Sequence, residues 1–430
     1  MKIKNRNHFA YIIKQFPKES EKFISREVLS LRDCMGSLLV FSLVQGEYEL
    51  IPDPAIRVVY IEKISLFRRI FQHSCVFLRN PLGYLDILFN ELIYPILKFF
   101  PKKITAKRKR RFKEKAKQFS NAGIIAFESR KNNIAHIHAH YANLPAETAL
   151  IASRLSGIPF SFTAHAKDLY LAKDHELARL LKRAAFVLTC TLHGESHLKS
   201  ICKPKYKDKI HCIYHGIDPR EFLPPKKDGS GKTPFILSAG RFTEKKGIDV
   251  LLQSLSILKK RKIPFKCVLA GDGKLSDQIR EAINELNLNH HVELPGFLPE
   301  KAILELYRQA DLFALASRKL PDGNRDGIPN VILEAMASEL PVVSTNVGGI
   351  PEVVTNGKNG FIENPDSPEL FTDSLEQLIK DEPLRRQMGQ EGRKAVLEKF
   401  DIGKNTEKLF KLFQKYSNGI DFMLEESVKH

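Results

Sequence analysis

Hydrophobic positions in the second half of the chain follow two alternating rhythms. Short continuous apolar runs over 234–240, 265–271, 292–294, 311–316 and 341–345 read as strands buried on both faces. Between them, apolar residues recur at helical spacing. Ile248, Leu251, Leu252, Leu255 and Leu258 mark a helix over 247–260, and similar patterns cover 275–286, 300–309 and 328–338. Buried strands separated by amphipathic helices predict a parallel sheet covered on both faces, with right-handed crossovers.

The first half repeats this grammar more loosely. Strands are predicted over 9–13, 37–43, 134–139, 160–164, 186–189 and 209–213, and helices over 20–32, 145–155 and 176–183. Ser20, with Phe23 and Ile24 beyond it, suits an N-cap. The stretch 79–130 is helical and basic in pattern. Residues 224–234, rich in Pro, Gly and charge, read as a linker. A helical pattern from Asp381 to the end is expected to return to the first domain. The predicted organisation is a basic N-terminal domain over 1–222, a linker over 223–233, a second domain over 234–398 and a helical segment over 399–430. The fold class is α/β, with two Rossmann-like doubly wound domains. Open sheets of this kind bind ligands beyond the carboxyl ends of their strands, so two facing each other would set two ligands in one cleft.

Composition supports this plan. The 430 residues are 43% hydrophobic and 27% charged, which is enough apolar material for two cores. Six scattered cysteines without a C-x-x-C pair suit reduced thiols, and hence a cytoplasmic protein. No cleavable leader and no apolar run of membrane-spanning length is expected. The longest candidate, 85–100, is broken by Asp86, Asn90, Glu91, Pro95 and Lys98 and reads as an amphipathic or buried helix. Charge changes the picture more. From Gly231 onward there are 28 Lys/Arg against 29 Asp/Glu, whereas the first 230 residues hold 40 against 21. The run from Lys98 to Lys117 concentrates the excess. Such a surface attracts anionic lipid, polyphosphate or nucleic acid.

Two segments carry candidate chemistry. In Gly240-Arg-Phe-Thr-Glu-Lys-Lys-Gly247 a strand ends and a helix begins, so backbone N–H groups meet Arg241 and a lysine where an anion could sit. In Asp326-Gly-Ile-Pro-Asn-Val-Ile-Leu-Glu334 two acids flank a helix start, and carboxylates accept hydrogen bonds from sugar hydroxyls. His136, His138 and His140 share one strand face, but imidazoles spread along a strand seldom converge on one ion. No carboxylate pair is spaced to hold phosphates through a metal, so neither a metal nor a cofactor is expected.

These segments resemble the donor-site signature of retaining glycosyltransferases of the GT-B fold, in the large group sometimes called family 4. The first is similar to its G-R-x-x-x-x-K-G segment. The second is similar to its E-x7-E motif, with Asp326 replacing the usual first glutamate and shortening that acid by one methylene. Gly271-Asp-Gly273, Pro295-Gly-Phe297 and Gly348-Gly-Ile-Pro-Glu352 follow in the same order. In the first half, residues 16–24, 136–142 and 161–168 are similar to the colanic acid and exopolysaccharide branch, although the glycine-rich loop many relatives place after the first strand is missing.

The resemblance implies that Arg241 and Lys246 neutralise the donor's pyrophosphate and that Glu334 holds the nucleotide ribose. Backbone groups at Asn330 and Val331 would help seat the nucleotide. Asp326 would contact the sugar near the reacting centre, and His165 would stand beside it from the acceptor domain. It further implies transfer of a hexosyl group from a nucleotide-sugar to a glycan or polyprenyl-diphosphate-linked acceptor, by a cytoplasmic enzyme peripheral on the inner membrane face. Two rival readings are a nucleotide-sugar epimerase of the same plan and a basic nucleic-acid-binding protein. The second is disfavoured because 102–117 interleaves only Phe112 among its charges.

Overall fold

The computed structural model describes residues 8–35, 38–48, 55–94, 106–224 and 233–417. The chain divides into two compact units. One comprises residues 1–189, 195–213 and 406–430, and the other 190–194 and 214–405.

The first unit is built on seven parallel strands: β1 His8–Gln15, β2 Leu38–Val44, β3 Ile56–Tyr60, β4 Ile134–His140, β5 Phe160–Ala164, β6 Val187–Thr189 and β7 Ile210–Cys212. Their order is β3-β2-β1-β4-β5-β6-β7. An order that grows outward from β1 on both sides sends right-handed crossovers to both faces, which is the Rossmann-like arrangement. The helices of this part of the chain are α1 Lys22–Met35, α2 Leu66–Arg79, α3 Pro81–Leu88, α4 Ala106–Lys131, α5 Leu144–Ser156, α6 Ala166–Tyr170, α7 Asp174–Arg183 and α8 Leu192–Ile201.

Strand alternation explains the two cores of this unit. Ala10 and Ile12 join Ile124, Ile125 and Ala149 of α4 and α5 on one face. Phe9, Tyr11 and Ile13 join Ile24, Val28 and Leu31 of α1 on the other. That second face is completed by Leu409 and Phe413 of the last described helix, Ile402–Tyr416.

The second unit has six parallel strands in the order β10-β9-β8-β11-β12-β13. They are β8 Phe235–Ala239, β9 Lys266–Ala270, β10 Val292–Gly296, β11 Leu312–Leu315, β12 Val342–Thr345 and β13 Gly360–Glu363. Its helices are α9 Ile248–Lys260, α10 Ser276–Glu285, α11 Glu300–Gln309, α12 Asn330–Ala337, α13 Pro368–Lys380 and α14 Glu382–Lys399; Ile402–Tyr416 is α15. Two apolar clusters cover the two faces of this sheet.

Several sequence expectations need correction. The chain passes from the first unit to the second after Ile213 rather than after 222, because Ile217 and Phe222 belong to the second unit's core and the Ile217 N–H donates to the Phe400 carbonyl at 3.0 Å. Most of the expected linker, 225–232, lies outside the described residues, as do 95–105 and 418–430. Ser20 is not an N-cap: it sits inside a 3-10 turn, Glu19–Glu21, and α1 begins at Lys22. The stretch 79–130 is helical where it is described, as α3, a π-helical turn Phe89–Ile93 and α4. The edge strands β3 and β13 were not anticipated. Each is covered on fewer sides, and both are only partly buried, so their hydrophobic signal is weak.

Candidate functional site

In the second unit, the loops that follow β8, β9, β11 and β12 converge. Glycines allow them to lie backbone on backbone. Gly240 and Gly271 have φ of +142° and +150°. A Cβ on Gly271 would stand 2.0 Å from the Gly240 carbonyl oxygen. The Phe242 N–H donates to the Asp272 carbonyl at 2.9 Å and ties the first two loops together. The turn Glu244–Lys246 ends at Gly247, which is left-handed at φ +60° and starts α9. A Cβ at Gly247 would collide with the Ala316 carbonyl at 1.8 Å, so the turn rests directly on the end of β11.

This packing sets two lysines on one acid. Lys245 Nζ lies 2.7 Å from Asp326 Oδ1, and Lys246 Nζ lies 2.7 Å from Oδ2. Burial by itself would raise the Asp326 pKa, but the ammoniums of Lys246 and Lys245 outweigh it and hold the carboxyl at about 2. The loop of Asp326 is seated on Gly348, where a Cβ would come 2.2 Å from the Asp326 carbonyl. The Gly349 N–H donates to the Gly327 carbonyl at 3.0 Å. Lys246 also runs past Gly240, its Nζ 3.9 Å from where a Cβ would be.

The remaining expected residues fall nearby in the chain's architecture. Arg241 is exposed. Asn330 and Val331 are the first two residues of α12, whose opening N–H groups have no partner within the helix. Glu334 lies one turn further on and accepts from the Tyr307 hydroxyl at 3.0 Å. Tyr307 is fully buried on α11, so it holds that carboxylate from within the core. The arrangement offers a guanidinium, two ammoniums and helix-terminal amides to an anion, with a fixed acid and a second acid close in sequence.

His165 belongs to the first unit. It precedes α6 and is buried, with its ring centroid 4.4 Å from that of Tyr141 and 5.2 Å from that of Phe23. A chain of polar groups runs behind it. His165 Nε2 is 3.2 Å from His140 Nδ1, His140 Nε2 is 3.2 Å from Glu27 Oε1, and the Tyr11 hydroxyl donates to the same oxygen at 2.7 Å. Asp168 accepts from the backbone N–H groups of Ala142 and His165. Burial nonetheless raises its pKa to about 7.

Glu27, His138 and His140 offer ligand atoms within 4.8 Å of one another. Both His138 nitrogens, however, pair with the hydroxyls of Ser161 and Thr163, at 2.7 and 2.9 Å. His136 Nε2 also meets Ser161, at 2.7 Å, and burial lowers its pKa to about 3. His136 and His138 therefore form a hydrogen-bonded layer with β5, whereas His140 is engaged by His165 and Glu27.

Sequence reasoning missed Lys245, Tyr307, Glu27 and Asp168. Lys245 was visible as one of two adjacent lysines, but that both turn onto Asp326 depends on the 3-10 turn. Tyr307 and Glu27 carry no local signal, since each acts through a residue distant in the chain.

The sequence pattern of the glycosyl transferases group 1 family matches residues 219–395. An uncharacterized glycosyltransferase of Methanocaldococcus jannaschii, MJ1178, is 30% identical over 293 residues, 66% of this chain and 76% of that protein. The chain belongs to the glycosyl transferases group 1 family. The amylovoran biosynthesis glycosyltransferase AmsK of Erwinia amylovora is 37% identical over 155 residues, 36% of this chain and 38% of AmsK. The putative colanic acid biosynthesis glycosyltransferase WcaL of Salmonella typhimurium is 30% identical over half of this chain, and the match spans 53% of WcaL. Among solved structures, HepE of Anabaena in complex with UDP-glucose superposes with a TM-score of 0.66 at 18% identity, covering 94% of this chain and 99% of HepE. The shared fold is the two-domain GT-B type. Nothing in these matches supports the epimerase reading.

Proposed function

We propose that this protein transfers a hexosyl group from a nucleoside-diphosphate sugar to a glycan or polyprenyl-diphosphate-linked acceptor in polysaccharide synthesis, with retention at the anomeric carbon. The observation that carries this reading is the half-buried pair of lysines on Asp326, in the same loop as the exposed Arg241. Each ammonium has three donors and spends one on Asp326, which leaves donors for a phosphate. HepE, similar in fold, was crystallised with UDP-glucose, which makes a uridine diphosphate sugar the first donor to test.

In the transfer, the anomeric carbon–oxygen bond to the diphosphate breaks and a bond forms to an acceptor hydroxyl oxygen on the same face. The hydroxyl proton passes to the departing phosphate oxygen. Negative charge growing on that phosphate is met by Arg241, Lys246, Lys245 and the amides of Asn330 and Val331, so fixed protein charge supplies the stabilisation and no metal is required. Glu334, braced by Tyr307, is assigned to the ribose, Asp326 to sugar hydroxyls, and His165 to the sugar from the acceptor domain. The basic run from Lys98 to Lys117 suits the anionic inner face of a membrane that carries the acceptor.

Thermal unfolding with a panel of nucleotides and nucleotide-sugars tests the donor site. A matched donor at about 100 times its Kd stabilises the native state by about 2.7 kcal/mol, a shift of a few degrees. Arg241→Ala with Lys246→Ala should abolish that shift while leaving the ligand-free transition near its original temperature. A double variant that keeps full protection would place the donor elsewhere. Proton coupling constants of the product's anomeric centre then test retention.

A further inference from the structure

In the first unit, α2 buries Val76 but leaves most of its apolar side chains facing outward. Its inward face carries Gln72, which is buried and donates to the buried Glu128 carboxylate of α4 at 2.7 Å. Its outward face carries Phe67, Ile70, Phe71 and Leu78, and α3 continues outward with Leu82 and Leu85. Phe67 and Leu82 are each 83% exposed, and Leu78 is 75% exposed. Scattered exposed apolar residues are ordinary, but two successive helices that both present them are not.

An open cavity of about 360 Å³ lies between these helices, rimmed by Leu66, Ile70, Phe77 and Tyr84. The polar groups around it are already engaged. His73 Nδ1 pairs with the Tyr84 hydroxyl at 2.7 Å and its Nε2 with the Ser120 carbonyl at 3.0 Å, and Arg69 donates to the Ile61 carbonyl at 2.5 Å. What remains open to a partner is apolar.

The surroundings are basic. Lys63 and Arg79 are exposed around α2, and Lys113 and Lys117 on α4; Arg68 and Arg110 are exposed as well, the first paired with Glu128 at 2.9 Å. The acids nearby are largely spoken for: Asp86 pairs with Arg154 at 3.0 Å and Glu114 with Arg110 at 3.0 Å. A second copy of this chain, of formal charge +18, would bring two like-charged rims together. No helix among the described residues is long and apolar enough to cross a membrane. An apolar ridge within a basic rim matches the boundary between anionic headgroups and acyl chains.

We propose that the α2–α3 ridge seats in the surface of an anionic bilayer, with Phe67, Ile70, Leu78 and Leu82 below the headgroups and the surrounding lysines and arginines at the phosphates. The inference deepens the reading of a membrane-borne acceptor. It rests on that reading for its purpose but on different residues for its geometry.

The chain contains no tryptophan, so an introduced one reports alone. Phe67→Trp and Leu82→Trp should each shift to shorter emission wavelength, and be quenched by brominated acyl chains, on vesicles of phosphatidylglycerol. Vesicles of phosphatidylcholine should give much less. Phe297→Trp, at a 68% exposed position in the second unit, should show neither change. Phe67→Ser with Leu82→Ser should weaken vesicle binding by about tenfold or more while circular dichroism is unchanged. Unchanged emission at 67 and 82 would overturn the proposal. So would vesicle binding that survives the double serine variant but disappears in Lys113→Gln with Lys117→Gln, which would be adsorption by charge alone. A lipid-independent shift that grows with protein concentration would instead mean that the ridge meets a second copy. These readings need no donor, so loss of the proposed activity would leave them intact, and a null here would leave the donor test intact.

Discussion

Two aspartates show how neighbours decide the sign of an electrostatic contribution. Asp168, in the first unit, is surrounded by backbone amides and apolar walls, and burial raises its pKa to about 7. Its native form therefore binds a proton more tightly than the unfolded chain, where the pKa is near 4. Its contribution is complete below about pH 4 and declines as pH rises toward 7, by up to about 4 kcal/mol at about 1.4 kcal/mol per unit. Asp326, held at about 2 by two lysines despite its burial, behaves oppositely. Its contribution is present above about pH 4 and is lost between about pH 4 and 2. Urea unfolding at several pH values should show Asp168→Asn flattening the decline between pH 4 and 7, and Asp326→Asn flattening the acid limb below it. Two glycines of the second unit allow a further comparison. Gly348 and Gly357 both have positive φ, but a Cβ at Gly348 meets the Asp326 carbonyl at 2.2 Å whereas one at Gly357 meets nothing within 4 Å. Gly357→Ala should cost about 1 kcal/mol of strain alone. Gly348→Ala should cost more in melting temperature and should also reduce donor protection, because it displaces the Asp326 loop.

At the scale of elements, the first unit's catalytic candidate is supported from behind. Strand β4 places His140 between His165 and Glu27 of α1, and β1 adds Tyr11. Burial raises the Tyr11 pKa well above its ordinary value, and the Glu27 carboxylate raises it further, so the phenol stays protonated and donates. The chain fixes which way the His140 ring faces His165. Glu27→Gln keeps the shape but weakens a charge-assisted bond worth about 1.5–3 kcal/mol, so kcat should fall by about tenfold while donor KM stays constant. Equal loss in both parameters would point to general disorder of the unit. The segment 85–100, read as amphipathic or buried, is amphipathic where it is described. There Ile87 is buried while Leu85 and Phe89 face outward, and α2 buries Gln72 against Glu128 of α4 while leaving most of its apolar side chains free.

For the molecule as a whole, the chain returns at its end to the unit in which it began. Phe413 of α15 is fully buried, with ring centroids 5.2 Å from Phe9, 5.9 Å from Phe186 and 5.4 Å from both His136 and His138. Phe413→Ala removes a shared aromatic wall and should cost about 3–5 kcal/mol. Because Phe413 lies in the first unit's core, calorimetry should show that unit's transition moving to lower temperature. Nucleotide protection, which the proposed donor site assigns to the second unit, should persist. A uniform loss of both would mean that the units do not melt separately.

The sequence by itself determined the fold class, most strands and the identity of the loops that carry the donor candidates. Apolar runs and helical spacing are local properties, and the segments 240–247 and 326–334 keep their chemistry within a few residues. What only the tertiary structure decided are relations between distant segments: that Asp326 is clamped by both Lys245 and Lys246, that Tyr307 braces Glu334, and that Glu27 stands behind His140. It also decided which side of α2 faces water. A hydrophobic pattern records that a helix has two unlike faces, whereas the neighbours available to each face determine which one is buried.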